Sequence, residues 1–85
     1  MIEVHYFAAA RQAAGVACEQ VPATATLGEL VRYLGNAHDG ATAAGMHFPE
    51  VLARCSFLAD GVAAHTQDSL AGVARVDVLP PFAGG

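Results

Sequence analysis

The residues best suited to chemistry in this 85-residue chain are its last seven, Leu79-Pro80-Pro81-Phe82-Ala83-Gly84-Gly85. Two prolines end any preceding strand, because proline fixes φ and donates nothing to a sheet ladder. They also hold the following backbone extended. Beyond Phe82 the side chains shrink to a methyl group and then to nothing. Such a segment can thread a narrow tunnel, with its terminal carboxylate clear of bulky neighbours. From Pro81 to Gly85 it reaches about 15 Å at roughly 3.3 Å per residue. A carboxylate is a poor electrophile, but ATP converts it to an acyl-adenylate. A sulfur nucleophile can then displace AMP and leave a thiocarboxylate. In that chemistry Gly85 supplies the reacting group, and Gly84 lets another protein's backbone and nucleotide come close. Taken alone, the same residues also fit a glycine-rich terminus without a role.

The rest of the chain offers little competing chemistry. Its four basic residues are all arginine, lysine is absent, and the net charge is -4. Without a basic stripe, nucleic acid is not an expected partner. An acidic face suits a basic groove on another protein instead. Apolar residues make up 54% and mean hydropathy is +0.39. That surplus hints at a standing partner, although the alanine content explains much of it. No apolar run approaches the roughly 18 residues of a membrane span. The start, Met1-Ile2-Glu3-Val4-His5-Tyr6, alternates and lacks a basic n-region, so no signal peptide is expected. Cys18 and Cys55 form neither a CxxC nor a zinc pattern. They are expected to be reduced, packed thiols of a cytoplasmic protein. His5, His38, His47 and His65 lack ligand spacing, so surface or half-buried imidazoles and no metal are expected.

These residues need a frame. Ile2 to Tyr6 alternates apolar with polar, as a half-buried strand does, and Phe7 continues it. Ala8 to Ala14 predicts a short helix closed by Gly15. Val16 to Val21 predicts a second strand pairing back on the first, and Pro22 stops it. Thr26 and Glu29 make a capping box, and Leu27, Leu30, Val31 and Leu34 fall on one helical face. That helix is expected to end at Gly35 or Asn36, or to run to His38. Asp39 to Gly45 predicts a loop, and Pro49 opens a short helix. Cys55 to Ala59 and Val62 to His65 predict strands joined by an Asp60-Gly61 type I′ turn. Asp68 to Leu70 predicts a turn, and Arg75 to Leu79 the last strand. The order gives an α+β fold of β-grasp layout, with about five strands in a mixed sheet on one main helix. By analogy with that fold, the first and last strands lie side by side at its centre. Residues 1–80 make the domain and 81–85 a flexible tail.

The sequence resembles the MoaD/ThiS family of ubiquitin-like sulfur carriers. Tyr6 to Gly15 resembles the family's opening "FA..RE..G", with Gln12 in place of Glu. Thr26-Leu27-Gly28-Glu29-Leu30 resembles "TVGEL", and Leu58-Ala59-Asp60-Gly61 sits at "VNG". The tail resembles "LPPVSGG" closely. The double proline is more like molybdopterin synthase small subunits than like the shorter thiamine-pathway carriers. Gly72-Val73-Ala74-Arg75-Val76 departs from the family's "DGDEV": the turn glycine has moved one place and its acidic neighbour is gone.

The resemblance implies a cycle. An E1-like, MoeB-like enzyme spends ATP to adenylate Gly85, and a sulfurtransferase converts it to the thiocarboxylate. The tail then enters a MoaE-like large subunit of molybdopterin synthase. Its sulfur passes to cyclic pyranopterin monophosphate, and two rounds make the dithiolene. The assembly implied is a heterotetramer whose acid–base groups lie on the large subunit. The small subunit holds no permanent cofactor. Gly84, Ala83, Phe82 and Pro81 are then partner-binding, with Phe82 either anchoring in a partner pocket or folding back on the sheet. Arg11 either meets a partner carboxylate or caps carbonyls of the short helix. Carriers for thiamine, cysteine or tRNA thiolation use the same tail. So does a ubiquitin-like modifier, although a lysine-free chain cannot build lysine-linked chains on itself.

Overall fold

The computed structural model describes residues 1–81. The elements run β1 (Ile2–Tyr6), α1 (Ala8–Ala14), β2 (Cys18–Val21), α2 (Leu27–Ala37), α3 (Phe48–Ala53), β3 (Ser56–Ala59), β4 (Val62–Ala64) and β5 (Arg75–Leu79). One five-stranded sheet has the order β2-β1-β5-β3-β4. β1 and β5 pair in parallel at its centre, and the flanking pairs are antiparallel. This is the expected β-grasp.

The alternation sets which face is buried. Ile2, Val4 and Tyr6 of β1 and Val76 and Val78 of β5 are buried, at 2% exposure or less. Their neighbours Glu3, Arg75 and Asp77 face the open side of the sheet, as the period of two requires. Against the buried face lies α2, whose Leu27, Leu30 and Leu34 are fully enclosed. Thr26 Oγ1 accepts from the Glu29 N–H at 3.2 Å. The Glu29 carboxylate reaches one residue further back than a standard capping box, accepting from the Ala25 N–H at 3.1 Å.

α2 is the one main helix, and the two short helices that were also expected complete its layer. α1 buries Ala10 and Ala13, and α3 buries Phe48, Val51 and Leu52. An eleven-residue α2 is too short to cover five strands, so two short helices complete the layer. α1 and the loop before α3 approach closely: a Cβ on Gly40 would stand 2.1 Å from the Ala13 carbonyl oxygen. Only glycine fits there. The second strand begins at Cys18, two residues later than expected, because Gly15 to Ala17 is spent turning the chain out of α1. At the far end of β3, Asp60 and Gly61 hold φ of 48° and 84°, the conformation of a type I′ turn. The Asp60 carboxylate then accepts from the Ala74 and Arg75 N–H groups at 3.1 and 2.9 Å. This ties the hairpin turn to the entry of β5.

Candidate functional site

The site is the end of the sheet from which the tail departs. β5 is central, so its last residues have a neighbour on each side. Toward β1, the Phe7 N–H donates to the Val78 carbonyl at 3.2 Å. Toward β3, Leu79 is in register with Ser56. Leu79 and Pro80 are half-buried and Pro81 is exposed. The root of the tail is therefore anchored by the sheet, and the chain is released at Pro81. The expectations for Phe82, Ala83, Gly84 and Gly85 fall outside the described residues.

Around the root, α1 turns sharply away from β1 through Ala8, which holds a left-handed φ of 50°. Phe7 stays 40% exposed, because the parity that buries Tyr6 turns the next residue outward. Val16 on the return loop is 41% exposed. Sequence reading missed both as surface features, although strand parity alone identifies Phe7. Arg11 lies exposed in a shallow concavity shared with Ala8, Gln12 and Gly15. Its side chain makes no ion pair among the described residues. The helix end is closed instead by the Gly15 N–H, which donates to the Arg11 carbonyl at 2.9 Å. Capping is thus done by backbone, and the Arg11 guanidinium is left to solvent or a partner. Arg75 differs: its Nε donates to Asp77 Oδ1 at 2.7 Å on the open face.

A polar cluster lies on the helix side, beyond β1. Glu19 Oε2 accepts from the Tyr6 hydroxyl at 2.6 Å and from His38 Nε2 at 2.5 Å. The rings of Tyr6, His38 and Phe48 meet edge to face, with centroids 5.3 to 6.0 Å apart. Burial, the Glu19 hydrogen bond and charge, and the Tyr33 charge push the Tyr6 phenol well above its ordinary range. The sequence signal was Glu19 itself, two residues from buried Val21 and hence on the inward face of β2.

The two thiols differ, which corrects the expectation that both are packed. Cys55 is half-buried, donates to the Val51 carbonyl at 3.1 Å, and is pushed up to about 11 by burial. Cys18 is exposed on the edge strand. Among the described residues, no group of three His, Cys, Asp or Glu side chains is placed to hold a metal. Nor is any described helix long and apolar enough to cross a membrane.

A family model described as ThiS family matches residues 4–85. The crystal structure of SAMP1 from Haloferax volcanii is similar in fold, with a TM-score of 0.72 and 25% identity. The likeness covers 99% of this chain and 98% of that one. No curated protein sequence matches.

Proposed function

The chain belongs to the ThiS family, and from that premise we propose that it is the sulfur-carrying small subunit of a molybdopterin synthase. One observation carries the reading: the family match runs through Gly84 and Gly85, five residues beyond the end of a strand held at the sheet centre. A central strand bonded on both sides is a firm anchor for an arm whose last atoms react elsewhere. The body of the protein contributes position, and the chemistry sits on the terminal carboxyl group.

An E1-like partner joins the Gly85 carboxylate to AMP, and pyrophosphate leaves. The terminal sulfur of a persulfide on the sulfurtransferase attacks the carbonyl carbon, and AMP leaves with the C–O bond. A second thiol then cleaves the S–S bond, being oxidised to a disulfide, and the thiocarboxylate is released. The thiocarboxylate sulfur then bonds to a side-chain carbon of the pterin substrate inside the large subunit as that carbon's C–O bond breaks and the oxygen leaves. Water hydrolyses the resulting thioester, restoring the carboxylate and leaving the sulfur on the pterin as a thiolate. ATP is consumed on the activating partner. The double proline before Phe82 supports the molybdopterin branch over a thiamine-pathway carrier.

The test uses the thiocarboxylated full chain, a molybdopterin synthase large subunit and cyclic pyranopterin monophosphate. Molybdopterin should form, and should vanish when Gly85 is deleted. No product from an intact thiocarboxylate, beside a working small subunit, would move the assignment to a carrier for thiamine, cysteine or tRNA thiolation. High-mass cellular adducts ending in Gly85 would indicate a protein modifier instead.

A further inference from the structure

The chain contains two Asp-Gly pairs, Asp39-Gly40 and Asp60-Gly61, and the fold holds them differently. Glycine after aspartate leaves its backbone nitrogen free of a side chain that would hinder approach to the aspartate carboxyl group. That nitrogen can close a five-membered ring on the carboxyl carbon, so the surroundings decide which pair reacts. Asp60 is pinned. Its Oδ1 accepts from the Ala74 and Arg75 N–H groups at 3.1 and 2.9 Å, and its Oδ2 accepts from the Ala74 N–H at 3.2 Å. To turn onto the Gly61 nitrogen, the carboxylate would have to give up all of these contacts. Asp39 is exposed, and its carboxylate has no hydrogen-bond or ion-pair partner among the described residues. Neither the Asp39 N–H nor the Gly40 N–H donates to any of them.

We propose that Asp39 is a site of spontaneous rearrangement to isoaspartate, and that the fold protects Asp60 from the same reaction. The Gly40 nitrogen attacks the protonated Asp39 carboxyl group at its carbon, and a C–N bond forms. The carboxyl hydroxyl leaves as water with the amide proton, which gives a cyclic imide. A second water opens the ring at the Asp39 main-chain carbonyl, and the main chain then runs through the former side chain. One water is lost and one gained, so the mass is unchanged. No oxidant or reductant takes part.

The product puts one extra methylene into a link whose two ends are fixed. Before it, the His38 N–H donates to the Leu34 carbonyl at 3.3 Å and the His38 ring bonds Glu19. After it, the Gly40 carbonyl accepts from the Phe48 N–H at 3.1 Å. Gly40 has no room to move toward α1, where a Cβ would already stand 2.1 Å from the Ala13 carbonyl oxygen. The added length is therefore taken up by loosening the Gly40–Ala13 contact or the His38–Glu19 bond, and the aged protein is less stable. None of this rests on the carrier reading, which concerns the tail.

The test ages the full chain at body temperature and mildly acidic pH, once folded and once in guanidinium chloride. Peptide mapping with electron-transfer fragmentation then locates isoaspartate. The denatured chain should form it at both pairs, and the folded chain at Asp39 and not at Asp60. Asp39→Glu keeps the charge but would need a six-membered ring. Its folded form should stay free of isoaspartate and keep its melting temperature on ageing, whereas the unsubstituted chain should melt lower. A folded chain that forms none at Asp39 while the denatured chain does, or that forms as much at Asp60, would overturn the proposal. A fall in melting temperature that persists in Asp39→Glu would overturn the stated consequence. The molybdopterin assay plays no part in this result, so the two readings can fail separately.

Discussion

The two flanks of the central β1–β5 pair close against the helices in different ways. On the β2 side the gap is filled by a polar and aromatic cluster: Glu19 accepts from Tyr6 and His38, and Phe48 packs on both rings. On the β4 side Asp60 holds the turn of the hairpin, the Gly28 N–H of α2 donates to the Thr66 carbonyl at 2.8 Å where the chain leaves β4, and a groove remains between Ala64 and Val31. β4 is three residues long, and its Val62 is 69% exposed. One flank is sealed by side chains that satisfy one another. The other leaves apolar surface unfilled near the end of β5.

The largest effect should come from breaking the sealed flank. Glu19→Ala leaves the buried Tyr6 hydroxyl and the His38 ring without their acceptor, at a cost of about 1–3 kcal/mol. Urea unfolding should show it, with Glu19→Gln milder because one acceptor oxygen survives. A loss no greater for Ala than for Gln would mean that solvent replaces the carboxylate, and that the flanks differ less than the geometry indicates. Asp60→Ala on the other flank should cost about 1 kcal/mol, since its acceptors are exposed and water competes for their donors. Asp60→Asn should recover part of that, because asparagine tolerates the same left-handed φ. Groove chemistry should respond as well, with altered Cys55 alkylation in Asp60→Ala and none in Glu19→Ala.

The third effect is a loss of stability that sets in only at alkaline pH. The folded Tyr6 phenol titrates above its unfolded value of about 10. Its contribution to stability is therefore fully present below about pH 10 and is lost as pH rises further. In a Tyr33→Phe variant, phenolate absorbance should appear only together with the loss of helical circular dichroism. Phenolate appearing in a still-folded protein would show that the Tyr6–Glu19 seal is leaky.

The elements that frame this contrast were legible in the sequence. Strand positions followed from alternation, and the Asp60-Gly61 turn from its need for positive φ. The capping box at Thr26 placed the start of α2 correctly, because a cap is decided within four residues. Glu19 was not singled out: its partners are 13 residues before it and 19 after it, and no local pattern links them. The exposure of Cys18 was missed for a related reason. A cysteine in an edge strand has the same neighbours in sequence as one in a central strand.

The sequence by itself determined the strand and helix order, the capped start of α2 and the positive-φ turn at Asp60-Gly61. All three depend on residues close together along the backbone, where propensity, periodicity and the absence of side chains act directly. Only the tertiary structure decided that the tail leaves beside Phe7 and Ser56, that Gly40 must admit the Ala13 carbonyl, and that one flank is sealed while the other holds a groove. Those outcomes depend on which distant segments meet. That is set by the β2-β1-β5-β3-β4 order of the sheet, in which long-range pairing places side chains that no local pattern brings together.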